Sequence, residues 1–179
     1  MNKKVLILSS SPRRHGNSDL LCDQFAAGAQ QSGHPTEKIF LKDKTINYCT
    51  GCGTCFNREK PCPQKDDMAE ILEKMVGADV IVMATPVYFY TMCGQMKTMI
   101  DRTCARYTEI SNKDFYFIVT AADNNIPAME RTIEEFRGFT DCLDQPNEKG
   151  VIYGVGAWNK GEVKGSMAMT EAFEMGSAV

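Results

Sequence analysis

The sequence predicts a three-layer α/β sandwich: five parallel strands in the order 2-1-3-4-5, with helices on both faces. Three observations carry that prediction. Apolar runs alternate strictly with helical patterns along the 179 residues, as a parallel sheet joined by helical crossovers requires. The inner runs are apolar without interruption, VIVMA at 80–84 above all, as expected of strands covered on both faces. Right-handed crossovers and short loops then leave few topologies, and this order fits best.

The first strand is VLILS at 5–9, ending in a serine-rich turn. A helix follows over 17–31, with Leu20, Leu21, Gln24, Phe25 and Gly28 on one face and Gly33 and Pro35 beyond its end. Residues 38–41 make a shorter second strand. Asp66 and Asp67 open a helix in which Met68, Ile71, Leu72, Met75 and Val76 share one face, and Gly77 closes it. After the third strand at 80–84, a helix over 94–104 carries Met96, Met99 and Ile100. The fourth strand is 115–120, followed by an amphipathic helix at 126–139. A fifth strand at 151–155 leads into a last helix at 166–175, stopped by Gly176.

The chain reads as one domain over 1–179 with a cysteine-rich loop at 49–63. A net charge of −3 provides no electrostatic footprint for nucleic acid and no polybasic membrane patch. The apolar run near the N-terminus covers only 5–8, too short for a secretory core. No stretch approaches the ~18 apolar residues that span a bilayer. A cytoplasmic location is therefore expected, where thiols stay reduced and clustered cysteines point to metal or redox chemistry.

In this strand order a ligand belongs beyond the carboxyl ends of strands 1 and 3. Strand 1 runs into SSSPRRHGNS, which is neither GxGxxG nor GxxxxGK[ST]. It holds what a monophosphate needs: hydroxyls on Ser9, Ser11 and Ser18, the Asn17 amide, the Arg13 guanidinium and the N–H groups of the next helix. The plainer reading is a polar turn with Asn17 or Ser18 as an ordinary N-cap. Strand 3 runs on into TPVYFY, where Pro86 stiffens the backbone and Val87, Tyr88 and Phe89 could face a planar ring. Those aromatics could instead pack beneath a helix or into a subunit interface. Strand 4 ends in Thr120, Ala121, Ala122 and Asp123, small enough to let a third loop approach. A phosphate on one loop and a flat heterocycle between two others describes flavin mononucleotide (FMN).

Cys49, Cys52, Cys55 and Cys62 follow the spacing C-x2-C-x2-C-x6-C, with Pro63 after the last. Three thiolates so spaced can reach three corners of a [4Fe–4S] cubane and a fourth can close it, and Gly51 and Gly53 let the backbone wrap. Structural zinc prefers two separated pairs. A redox-active Cys49–Cys52 disulfide is a further alternative, although the motif does not open a helix. Unligated thiols are the remaining one. Cys22, Cys93, Cys104 and Cys142 read as small buried apolar residues. His15 and His34 are the only histidines and make no metal site. Asp101-Arg102 reads as a surface ion pair or a dimer contact.

SSSPRRHGNSD resembles the GSPRxxGNT-type phosphate loop of the flavodoxin-like NADPH-dependent FMN reductase family. ATPVYFYTMCGQMKTMIDR resembles its isoalloxazine loop and following helix, and the likeness runs through essentially the whole chain. The resemblance implies a phosphate held by Ser9, Ser11, Arg13, Asn17 and Ser18, and a ring held by Pro86, Val87, Tyr88 and Phe89. Ala121, Ala122 and Asp123 would line the third side. Ser10 stands where the family usually has glycine. The cysteine stretch, followed by Lys65-Asp66-Asp67-Met68, resembles the compact motif of the iron–sulfur flavoprotein branch, which implies a cluster on Cys49, Cys52, Cys55 and Cys62. The implied activity is reduction of a flavin, quinone or similar small-molecule acceptor by NAD(P)H, with hydride transfer to flavin N5. The implied alternative is an electron carrier between ferredoxin-like proteins. Neither requires a catalytic side chain, and a homodimer or homotetramer is expected.

Overall fold

A computed structural model of the chain describes residues 2–56 and 61–179. Residues 57–60, within the cysteine-rich loop expected at 49–63, lie outside the described residues. Along the chain run β1 (Val5–Ser9), α1 (Asn17–Gln31), β2 (Thr36–Phe40), α2 (Met68–Gly77), β3 (Val80–Tyr88), β4 (Thr91–Met92) and α3 (Gly94–Arg102). They are followed by β5 (Asp114–Thr120), α4 (Ile126–Thr140), β6 (Asn147–Gly154) and α5 (Met167–Ser177). The parallel strands lie in the order β2-β1-β3-β5-β6, which is the expected topology. Short β4, which sequence reasoning missed, pairs antiparallel with the end of β3.

Alternation along the strands builds two cores, because successive side chains point to opposite faces. Leu6, Leu8, Ile81, Met83, Phe115 and Phe117 face α2, α3 and α4, where Ile71, Met96 and Phe136 meet them. Val5, Ile7, Val80, Val82, Tyr116 and Ile118 face α1 and α5. Phe117 stacks on Phe136 at 4.9 Å between ring centroids, and Phe25 meets Tyr116 edge-on at 4.9 Å. Each such large side chain, fully buried, contributes roughly 1.5–3 kcal/mol.

Some element ends differ from expectation for local reasons. β3 continues past residue 84 because Thr85 and Pro86 still pair with Val119 and Thr120. β2 stops at Phe40, since Leu41 enters a single 3-10 turn with Lys42 and Asp43. α3 ends at Arg102, and a separate 3-10 turn carries Thr103, Cys104 and Ala105. Gly176 does not stop α5 but lies within it. A Cβ there would fall onto the Phe25 carbonyl of α1, and one at Gly28 onto the Phe173 carbonyl of α5. The two glycines let these helices cross at backbone contact. Among the described residues no helix is long and apolar enough to cross a membrane.

Candidate functional site

The loop after β1 is fixed from beneath by Asp19, a carboxylate 3% exposed in the first turn of α1. It accepts from the Ser9 hydroxyl (3.1 Å), the His15 backbone N–H (2.8 Å) and Lys38 Nζ (2.9 Å). Burial works against the Lys38 charge, but hydrogen bonds to Asp23 and Asp19 outweigh it and raise its pKa. Ser11 Oγ donates to the Arg13 carbonyl (2.9 Å) and accepts from the Arg13 N–H (3.2 Å), closing the turn on itself. A Cβ on Gly16 would meet Ser11 Oγ at 2.6 Å, so the turn leaves no room for a side chain there. Gly16 also caps α1 without a side-chain acceptor, which leaves the first helical N–H groups open to an anion.

Two expected phosphate ligands are committed elsewhere. Ser9 is spent on Asp19. The Asn17 amide is buried and ties down the segment after β6: Nδ2 donates to the carbonyls of Ala157 and Asn159, both at 2.9 Å. Asn17 Oδ1 accepts from the N–H groups of Gly161 (2.9 Å) and Val163 (3.4 Å). The Ser18 hydroxyl, by contrast, is buried and has no partner among the described residues. An orphaned buried hydroxyl costs about 1–3 kcal/mol, which an anion's oxygen would relieve. Ser10, at the position of the family's glycine, turns inward: its hydroxyl donates to the Ala84 carbonyl (2.7 Å) and accepts from the Cys93 thiol (3.1 Å). The substitution is therefore absorbed below the loop.

Between β3 and β4 the chain reverses through Phe89 and Tyr90, at φ 53° and 65°. Positive φ at both central residues is the type I′ hairpin geometry, which favours Asn-Gly. For residues with a Cβ it costs roughly 1–2 kcal/mol each. Thr91 Oγ1 donates to the Tyr88 carbonyl (2.9 Å) and Thr132 Oγ1 to the Tyr90 carbonyl (3.1 Å), while Arg131 lies 5.5 Å over the Tyr90 ring. This strained, braced turn presents Phe89 97% exposed.

A cavity of about 530 Å³ opens there, lined by Arg13, Val87, Tyr88, Phe89, Thr120, Ala121, Ala122, Ala157, Trp158 and Asn159. It unites six of the expected residues: Arg13, Val87, Tyr88, Phe89, Ala121 and Ala122. Pro86 is buried in β3, and Asp123 turns its carboxylate to the Asn125 N–H (2.9 Å). Ala157, Trp158 and Asn159 were missed. The available signal was the chain's only tryptophan, placed just after the fifth parallel strand.

The second site lies beyond β2. Cys49, Cys52, Cys55 and Cys62 line one cavity of about 70 Å³, and Cys104 joins them. Gly51 and Gly53 take φ 63° and 73°, left-handed conformations that let the loop coil. Hydrogen bonds to Thr54 pull the exposed Cys52 thiol below its ordinary range. Tetrahedral zinc would hold sulfurs about 3.8 Å apart. Among the described residues no three cysteine sulfurs lie mutually within 4.8 Å.

Arg102 corrects the expectation of a surface pair or dimer contact; Asp101 pairs outside with Lys97. Arg102 is buried, with side-chain exposures of 2% for it and 1% for Asp66. Nη1 donates to Asp66 Oδ2 (2.6 Å) and the Asn47 carbonyl (2.7 Å), and Nη2 to Asp66 Oδ1 (3.0 Å) and Cys62 Sγ (3.6 Å). It therefore staples both ends of the cysteine loop together. Its hydrogen bond holds the Asp66 carboxyl down to about 2. Of the cysteines read as buried, Cys22 and Cys93 are buried, Cys142 is exposed, and Cys104 is half-buried against Cys55.

A model of the NADPH-dependent FMN reductase family matches residues 3–137. An iron-sulfur flavoprotein of Archaeoglobus fulgidus is 40% identical over 99 residues, 55% of this chain and 44% of that protein. An iron-sulfur flavoprotein of Methanocaldococcus jannaschii is 37% identical over 138 residues, covering 76% of this chain and 70% of that protein. The chain thus spans less than half the length of the first of these relatives. The NAD(P)H:quinone oxidoreductase of Methanothermobacter marburgensis superposes with a TM-score of 0.75 at 16% identity, covering 99% of this chain and 96% of that one, a likeness of fold. With the serine loop and aromatic turn meeting at the switch point of the sheet, and a family match running from β1 into α4, the chain belongs to the NADPH-dependent FMN reductase family.

Proposed function

We propose that this chain binds FMN in the cavity above β1, β3, β5 and β6 and acts as an NAD(P)H-dependent oxidoreductase toward a flavin, quinone or similar acceptor. The observation that carries the reading is that the loop after β1, through Arg13, and the aromatic turn after β3 meet small residues in one cavity at the carboxyl ends of the strands. Arg13, the Ser18 hydroxyl and the open N–H groups of α1 suit a phosphate dianion. Phe89, Trp158, Ala121 and Ala122 offer apolar walls that exclude water from a planar ring. Bound there, FMN would supply a carrier that takes two electrons as hydride and can release them singly.

A second reading is an iron–sulfur electron carrier working between ferredoxin-like proteins, with a [4Fe–4S] cluster on Cys49, Cys52, Cys55 and Cys62. It is favoured by one observation: soft thiol donors around a common cavity, one already receiving an Arg102 N–H. Such an N–H···S bond would stabilise added negative charge on that sulfur. Steady-state NAD(P)H oxidation with quinone or free FMN, on protein purified without oxygen, separates the readings. Turnover supports the reductase. Absent turnover, with the bound flavin reduced by reduced ferredoxin, supports the carrier. Iron and sulfide assays on the same preparation test the cluster.

A further inference from the structure

Cys104 lies outside the four-cysteine motif, on the 3-10 turn after α3, yet its sulfur is 3.7 Å from Cys55 Sγ. Among the described residues this is the one pair of thiols in hydrogen-bond contact. A disulfide needs the sulfurs at about 2.05 Å, so closure asks for a shift of roughly 1.7 Å. Both residues are half-buried, and both line two cavities. One is the 70 Å³ space shared with Cys49, Cys52 and Cys62. The other is a cleft of about 810 Å³ between the α3 end and α4, walled by Phe56, Ile100, Tyr107 and Phe139. The pair thus forms the partition between an open cleft and the cysteine cavity, whose other thiols include the exposed Cys49 and Cys52.

We infer that Cys55 and Cys104 form a reversible disulfide when the loop carries no metal, an oxidant-sensitive lock on the cysteine site. The co-reactant is a hydroperoxide, the class of product that reduced flavins generate with dioxygen. The Cys55 thiolate attacks the peroxide oxygen, the O–O bond breaks, and a sulfenic acid and water result. The Cys104 sulfur then displaces the sulfenic oxygen, which leaves as a second water. Two thiols and one hydrogen peroxide thus yield one disulfide and two waters, with two electrons passing from sulfur to oxygen. A dithiol reductant reverses the step by exchange. The consequence, which rests on the cluster reading, is that Cys55 is withdrawn from the four-thiolate set until reduction returns it.

The test uses the full chain with FMN added, after removal of iron by a chelator. It is treated with one equivalent of hydrogen peroxide, alkylated, and mapped as non-reduced peptides. The expected result is a Cys55–Cys104 linkage, with loss of two hydrogens and loss of alkylation at both residues. Linkage within Cys49, Cys52 and Cys55 instead, or a Cys104 that stays fully alkylated, overturns the inference. C104S, which removes no residue of the flavin cavity, should bind FMN as before and lose the linkage. A variant that keeps the same crosslinked mass overturns the assignment. Anaerobic iron and sulfide reconstitution reads the consequence: the oxidised chain should take up at least tenfold less iron than the chain reduced with dithiothreitol. Equal uptake by both overturns the lock. A chain that forms the disulfide but takes up no iron in either state keeps the disulfide and refutes the cluster reading alone.

Discussion

Replacing Arg102 by methionine tests whether the cysteine loop is held by its own protein contacts before any metal arrives. Methionine keeps the apolar stem but removes the guanidinium that joins Asn47, Cys62 and Asp66. Both partners of the ion pair are within 2% of full side-chain burial. Breaking such a pair leaves an uncompensated buried carboxylate and costs about 3–5 kcal/mol. A second figure comes from Asp66, whose carboxyl falls from its ordinary 3.8 to about 2, chiefly through Arg102 with the Asn47 and Met68 N–H groups adding to it; the whole depression corresponds to roughly 2 kcal/mol at neutral pH, an upper bound on the share of Arg102. Because the folded-state pKa is depressed, this contribution is complete above the ordinary carboxylate pKa and drains away as pH falls through the folded one. Urea unfolding of the metal-free chain at pH 7 should therefore show R102M less stable by about 2–4 kcal/mol. The gap should shrink as pH falls from about 4 toward 2. A loss below about 0.5 kcal/mol at pH 7, of the size of an ordinary surface substitution, would show that Arg102 does not hold the loop.

Four further outcomes follow from the geometry. Arg13→Gln should weaken FMN about 10- to 100-fold, the size of a charge-assisted hydrogen bond, while leaving riboflavin affinity unchanged; equal loss for both ligands in a fluorescence titration would place Arg13 away from the phosphate. Asn17→Ala frees the segment carrying Trp158 and should cost about tenfold in FMN affinity, measured by calorimetry; unchanged affinity would mean that segment does not shape the cavity. Phe89→Gly relieves a positive φ and should stabilise the chain by about 1 kcal/mol in urea while weakening FMN; a destabilised variant would show the turn is not strained. Gly28→Ala places a methyl on the Phe173 carbonyl and should lower stability by about 1–3 kcal/mol or more; a neutral result would contradict backbone contact between α1 and α5.

The sheet was legible because uninterrupted runs such as VIVMA can be buried only on both faces, and α1 because its apolar face and the Gly33 and Pro35 beyond its end agree. β4 was not, since Thr91 and Met92 form a strand only through the reversal at Phe89 and Tyr90, against the residue preference of such turns. The flavin-side loops were readable as chemistry but not as geometry. Motif logic assigned the hydroxyl of Ser9 and the amide of Asn17 to a phosphate, whereas the fold spends them on Asp19 and on the segment after β6. Such long-range commitments leave no local trace. Arg102 and Cys104 were misread for the same reason: distance along the chain hid their packing against the cysteine loop.

If the cavity lined by Phe89 and Trp158 is the flavin site, the chain's single tryptophan makes binding there directly measurable. FMN should be titrated into flavin-free protein while tryptophan emission is followed. Saturable quenching is expected with one FMN per chain, at a Kd of micromolar or below, together with loss of that signal in Trp158→Phe with binding retained by calorimetry. FMN that binds without altering Trp158 emission, or does not bind at all, would contradict it.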